Sequence, residues 1–188
     1  WFAEARETIL CAGAIGSPHI LQMSGIADPA LLQQHQIPVV QALPGVGENL
    51  QDHLQMRMVF KVDGARTLNA MASTLVGKMK IGLEYLLMQS GPMSMAPSQL
   101  GAFVKSDPAL ETPNLQYHVQ PLTLEKFGEP LHPFPAFTAS VANLRPESRG
   151  YVRITGPDPF APPAIQPNYL STHADRLIAA ESIRLTRR

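Results

Sequence analysis

Residues 11–26, Cys-Ala-Gly-Ala-Ile-Gly-Ser-Pro-His-Ile-Leu-Gln-Met-Ser-Gly-Ile, constrain the fold more than any other stretch of the chain. Thr8, Ile9, Leu10 and Cys11 form an apolar run that predicts a buried strand. Ala12, Gly13 and Ala14 predict a tight turn. Ser17 is a good N-cap, and Pro18 suits a first helical position, where its missing N–H costs nothing. Ile20, Leu21 and Met23 continue as a helix that Gly25 stops. A strand feeding a small-residue turn at a helix N-terminus is where α/β proteins hold phosphates or nucleotides, because the first-turn N–H groups have no partner in the helix. Many strand–helix junctions use Gly simply to turn, so other residues have to decide between the two uses.

From there to about residue 53 the chain reads as the tail of an α/β domain. Asp28-Pro29 repeats the cap-plus-Pro start and opens a short second helix through Leu31 and Leu32, and Pro38 prevents its continuation. Leu43 to Gly47 is an irregular Pro/Gly loop. Gly45-Val46-Gly47 is not at a strand–helix junction and is no nucleotide fingerprint.

Beyond residue 54 the pattern changes. Met56, Met58 and Phe60 alternate with Arg57, Val59 and Lys61, as in a half-buried strand. Residues 70–90 predict the strongest helix, with Leu75, Val76, Met79, Leu83, Leu86 and Leu87 on one apolar stripe and Gly91-Pro92 as its stop. Met79 and Met88 are expected to fill core. Strands are expected at 99–104, 115–120, 137–143 and 150–154, joining 56–62 in one antiparallel sheet with helices on one side. Residues 173–188 predict a final helix, and 122–135 a long loop at a cavity mouth. The fold expected is therefore α+β: a remnant of an α/β domain over 1–53, then a domain over 54–188 built on an antiparallel sheet flanked by helices. The chain begins Trp1-Phe2 and stops at Arg187-Arg188 inside a predicted helix, so a piece of a longer protein is expected.

Eighteen prolines and thirteen glycines in 188 residues argue against a helical bundle. Formal net charge zero argues against a nucleic-acid partner. No apolar run is long enough to span a bilayer, and no basic-then-apolar leader is visible at the N-terminus. A single cysteine, Cys11, makes no internal disulfide and suits a reducing compartment, so a cytoplasmic location is expected.

No catalytic constellation is complete. The six histidines show no metal spacing, one Cys builds no zinc site, and no Gly-x-Ser-x-Gly elbow is present; no metal is expected. On the strand at 115–120, Gln116, His118 and Gln120 share one face, either solvated or the wall of a cavity. Asn49, Asp52 and His53 belong to a loop whose side chains either cap local backbone or serve a ligand.

Gly13-Ala14-x-x-Ser17-Pro18-x-Ile20-Leu21-x-x-Ser24-Gly25-Ile26 resembles the second signature of the glucose–methanol–choline (GMC) flavin oxidoreductases, departing only at Ala27, where the pattern has Gly. Leu43-Pro-Gly-Val-Gly-Glu-Asn-Leu-Gln-Asp-His53 resembles the family's next loop. Asn143 to Gly150 and Pro163 to Leu170 resemble its C-terminal substrate domain. The resemblance covers essentially the whole chain and is nearest to choline-dehydrogenase-like alcohol dehydrogenases. It implies FAD as cofactor, with Cys11, Ala12, Gly13 and Ala14 touching its ADP part and Asn49, Asp52 and His53 closing over the flavin. It implies a small-molecule alcohol as substrate, oxidised by hydride transfer to the flavin. It places the Gly-rich FAD fingerprint and the catalytic His beyond the two ends of this chain, so no catalytic residue is expected within it and the chain alone is expected to be inactive. In choline-oxidising members an acidic residue opens the strand E-x-G-[AG]-F; the matching residues here are Gln99-Leu-Gly-Ala-Phe103, so Gln99 is expected to face the substrate, with His118 and Gln120 on the cavity wall. The same fold also hosts hydroxynitrile lyases. A non-catalytic binding or assembly module is the other reading of a polypeptide without its own flavin fingerprint.

Overall fold

The computed structural model describes residues 4–126 and 128–188. Trp1 to Ala3, within the domain expected over 1–53, and Phe127, in the expected long loop, lie outside the described residues. In chain order the elements are α1 (Gly13–Met23), β1 (Ile26–Ala27), α2 (Pro29–Gln34), β2 (Gln41–Ala42), β3 (Glu48–Leu50), β4 (Gln55–Lys61), α3 (Leu68–Met71), α4 (Leu75–Met88), a 3-10 turn (Pro92–Ser94), β5 (Leu100–Val104), β6 (Leu115–Gln120), β7 (Ala136–Asn143), β8 (Gly150–Arg153), β9 (Ala164–Gln166) and α5 (His173–Thr186). The fold is α+β with antiparallel sheets.

Two compact units divide the chain. One holds residues up to Asp52 together with Pro146–Asp175; the other holds His53–Arg145 and Arg176–Arg188. These bounds differ from a simple split at residue 53, because 146–175 joins the first unit. The physical reason is strand pairing: β8 bonds β3 on one side and β9 on the other. The strand expected at 150–154 therefore does not extend the large sheet.

In the first unit, Ala27, Leu32 and Ile154 form a buried core against which Met23, Leu31, Ile37 and Val46 pack. Asp28 caps α2 as expected, its Oδ1 accepting from Ala30 N–H at 2.9 Å, with Pro29 at the first helical position. Gly25 is required where α1 turns into β1: its φ is +78°, and a Cβ there would meet Pro38 O at 2.3 Å. β1 and β2 pair in parallel.

Two expectations fail here. Residues 8–11 form no strand, and Ile9 is 83% exposed; among the described residues no ladder partner lies beside them, and a lone strand has nowhere to place its backbone hydrogen bonds. Nor does α1 begin at Ser17 and Pro18. It starts at Gly13, with Pro18 inside the helix and Ser17 Oγ accepting the Ala12 N–H at 3.1 Å.

In the second unit, β4-β7-β6-β5 form an antiparallel sheet. Its register puts Arg57, Ser140, His118 and Gly101 in one transverse row. Phe60 and Phe137 pair directly and stack, centroids 5.1 Å apart. The opposite face holds Tyr117, whose hydroxyl lies 2.8 Å from Thr186 Oγ1 of α5. The single helix expected over 70–90 is broken in two. Thr67 caps α3 and Thr74 caps α4, their hydroxyls accepting from Ala70 and Gly77 N–H at 3.3 and 3.0 Å. The α4 stripe is not core: Leu86 is 79% exposed and Met79 65%. Amphipathic periodicity specifies a helix, but burial also needs a facing surface, and among the described residues none covers this one.

Candidate functional site

Two concave regions bring together residues singled out from the sequence. The first lies within the first unit. Ala14 and Pro18 of α1 face residues 47–51 and Val152 across a cleft of about 210 Å³. This joins two stretches far apart in sequence, the Ala-Gly-Ala turn and the loop carrying Asn49. The α1 N-terminus has no side-chain cap: Ala12 is the N-cap residue, Gly13 has φ +76°, and the space where its Cβ would stand is open. N–H groups of the first turn are thus left for an outside acceptor. Asn49 adopts the left-handed conformation, φ 64°, which Asn tolerates better than most residues. At the cleft edge Glu48 pairs with Arg153 at 2.8 Å, and the Arg153 guanidinium lies over the Tyr151 ring at 4.1 Å. An uncapped helix end, an open glycine and half-polar walls fit a stretch of a dinucleotide such as FAD.

Not every member of the expected cofactor set meets in this cleft. Cys11 is an exposed free thiol. Asp52 accepts a hydrogen bond from Tyr169 Oη, and that bond, with burial and the carboxylate charge, pushes the phenol pKa up to about 12. His53 Nε2 lies 3.1 Å from Leu144 O, within the second unit. Neither side chain caps its own loop's backbone.

Holding this unit together are two networks that no sequence pattern announced. Gln22, on α1, is wholly buried. Its Nε2 donates to Val152 O at 2.8 Å and Val46 O at 3.2 Å, and its Oε1 accepts from Ile154 N–H at 2.8 Å. Gly47 makes room for it: a Cβ there would stand 2.1 Å from Val152 O and 2.3 Å from Gln22 Nε2. The second network centres on Asp175, which accepts from the N–H groups of Glu147 and Ser148 at 3.0 and 2.8 Å and from Ser148 Oγ at 2.5 Å. Burial alone would raise the Asp175 pKa. The bonds from Ser148, Glu147 and Thr172 outweigh it and hold the carboxyl below its ordinary 3.8. Ser148, which opens the Ser-Arg-Gly entry to β8, is thereby a structural residue. The only sequence sign of Asp175 was an acidic residue in the first turn of a helix.

The second concave region lies within the second unit. Register places Gln99, Gly101 and Phe103 on the same sheet face as Gln116, His118 and Gln120, so the three residues expected to meet substrate do share a face. That face is not simply solvated. Thr138 Oγ1 donates to Leu122 O at 2.8 Å and Arg57 Nη2 to Leu124 O at 3.4 Å, bringing the segment after β6 back over it. His118 is half-buried and Gln120 buried. Gln120 Nε2 donates to Ser98 Oγ at 3.1 Å, and among the described residues its buried Oε1 has no partner. Beside this row opens a cavity of about 320 Å³, lined by Gln99 and, among others, Arg66, Leu68, Met71, Met95 and Leu122. His118 and Gln120 do not line it. Arg66 was not anticipated from the sequence; an isolated Arg before a Thr cap carries no pattern. Among the described residues no group of His, Cys, Asp and Glu is arranged to hold a metal, and no helix is long and apolar enough to cross a membrane.

Comparison with known proteins matches both ends of the chain to models described as GMC oxidoreductase, one over residues 1–55 and one over 146–188. The second match begins where the chain returns to the first unit. An oxygen-dependent choline dehydrogenase of Klebsiella pneumoniae subsp. pneumoniae is 41% identical over 182 residues, 97% of this chain and 33% of that protein. Among solved structures, a formate oxidase superposes with TM-score 0.82 at 21% identity, over 93% of this chain and 35% of that one. Pyridoxine 4-oxidase from Mesorbium loti gives TM-score 0.72 at 25% identity, over 94% of this chain and 31% of that one. The chain spans about a third of the length of the curated relatives it matches.

Proposed function

Because the chain belongs to the GMC oxidoreductase family, we propose that it forms part of an FAD-dependent oxidoreductase that oxidises the CH–OH group of a primary alcohol. The observation that carries this reading is the cleft in which the uncapped α1 N-terminus faces the Asn49 loop. The two stretches that the family resemblance assigns to the cofactor meet there. Residues 1–53 are then the tail of the FAD-binding domain and 54–188 the substrate domain, whose stretch 146–175 packs in the same compact unit as the former. Bound flavin supplies the hydride acceptor. Backbone N–H groups at Gly13 and Ala14 hold cofactor oxygens, and Asn49 and Asp52 shape the loop over it. Gln99 orients the alcohol, with His118 and Gln120 behind it in the wall, and Leu68, Met71 and Leu122 keep water out. The proton is removed by residues outside this chain, which alone neither retains FAD nor turns over. The enzyme works in the cytoplasm.

The substrate in this reading is not choline. Gln99 stands where choline oxidisers carry a carboxylate, and a neutral amide does not replace a charge opposite a quaternary cation. The test is flavin reduction by primary alcohols in the full-length gene product loaded with FAD, alongside the 188-residue chain alone. Bleaching by a neutral primary alcohol, with choline much poorer, is expected. Flavin that no alcohol reduces, or a near-stoichiometric flavin spectrum in the chain alone, would refute the corresponding part.

A further inference from the structure

The cavity beside β5 has one formally charged lining residue, and it is a cation, Arg66. We propose that this cavity takes an alcohol bearing a carboxylate, and that Arg66 is the residue that selects for it; this rests on the reading of the cavity as the substrate site.

The backbone around Arg66 is fixed. Thr67 next to it is buried and caps α3. Leu68 N–H donates to Pro121 O at 2.8 Å. Asn69 Nδ2 donates to the carbonyls of Thr123 and His132 at 2.9 and 2.8 Å, and its Oδ1 accepts from Thr123 N–H at 2.8 Å. The Arg66 side chain therefore leaves from a rigid base at the cavity wall, while its guanidinium has no ion-pair partner among the described residues. No carboxylate lines the cavity. A quaternary ammonium entering it would lose hydration and meet a like charge, whereas a carboxylate would meet a planar, two-pronged donor. Among the described residues Gln99 Nε2 is engaged only by Met95 Sδ at 3.7 Å, a weak acceptor that a hydroxyl or carboxylate oxygen displaces readily. The other walls are apolar, suited to methylenes between the two polar ends. At about 320 Å³ the cavity is at the small end of ligand sites, matching a short ω-hydroxy acid.

The experiment titrates the 188-residue chain with ω-hydroxyhexanoate, its neutral amide and choline, following the NMR signals of the Arg66 side chain and the Gln99 amide. The carboxylate is expected to bind about 5-fold more tightly than the amide, a modest ratio because Arg66 is solvent-exposed, with choline giving no shifts. Arg66→Gln is expected to erase the difference and Arg66→Lys to keep part of it; unchanged signals from β6 and β7 report that each variant folds. Equal affinity for carboxylate and amide, a preference that survives Arg66→Gln, or binding of none of the three overturns the proposal. An Arg66-dependent carboxylate preference, in a protein whose flavin no alcohol reduces, upholds the cavity assignment and overturns the redox reading instead.

Discussion

Helices α1 and α4 place their side chains against polarity. On α1 the fully buried residue is Gln22, an amide; on α4 no residue is buried, although the helix is mostly Leu, Val, Met and Ile. The difference is not in the residues but in what faces them. Gln22 sits where β8 and the loop before β3 turn backbone carbonyls and an N–H inward, and its amide satisfies all three at 2.8 to 3.2 Å. A leucine there would fill the space and leave the backbone groups dry and unpaired. The α4 stripe has the opposite situation: apolar side chains with no apolar surface opposite them among the described residues. Burial follows the partner, so polarity alone misjudges both helices.

The strongest way to break this comparison is Gln22→Leu. It keeps the volume and removes three hydrogen bonds from a buried junction, stranding the Ile154 N–H and the Val152 carbonyl. A loss of about 2–4 kcal/mol is expected. Urea unfolding followed by a probe in the first unit would measure it. A loss under about 1 kcal/mol would mean that water replaces the amide and that the junction is not dry.

Asp175 sharpens the same point at a smaller scale. Its carboxylate is buried yet ionised, because donors from Glu147 and Ser148 close around it. Since its pKa is lower in the folded than in the unfolded chain, its contribution is fully present above 3.8 and is lost as pH falls through the lower folded value. Asp175→Asn is expected to cost about 1–3 kcal/mol at neutral pH and to flatten the acid limb of the stability curve below pH 4. A variant as acid-sensitive as the parent would assign that limb to other carboxylates.

How legible all this was in the sequence follows from the range of each interaction. Alternation at Met56, Met58 and Phe60 and at Leu115, Tyr117 and Val119 marks each strand locally, and four of the five strands expected in the large sheet fall into it, although β4 pairs with the distant β7. Asp28-Pro29 announced α2 because a cap acts within a few residues. Gly150 to Arg153 gave a strand but not its partner, since residue type marks a strand and its faces but not which strand its backbone bonds, here β3 and β9. Of the candidate site, Ala14 with Asn49 and Gln99 with the His118 face were legible through the family pattern. Arg66 was not, because what places it at the cavity is the Asn69 and Pro121 bonding beneath it. Nor was the start of α1, where Ser17 stands inside the helix and its Oγ accepts from the N–H of Ala12, the N-cap residue.

The smallest expected effect tests the other half of the comparison. Leu83 and Leu86 lie on the open stripe of α4, 57% and 79% exposed, where replacement by a polar residue removes little packing. Leu86→Gln keeps a good helix former at a solvent-facing site, so the unfolding midpoint of the 188-residue chain should move by no more than about 0.5 kcal/mol. Binding of a dye that reports exposed apolar surface should fall, because contiguous patches of this kind are what such dyes and aggregation recognise. Double replacement, Leu83→Gln with Leu86→Gln, should lower dye binding further and still cost little stability, since both side chains are mostly exposed. A loss of 2 kcal/mol or more would show instead that the stripe is covered in solution, and that α4 is buried core after all.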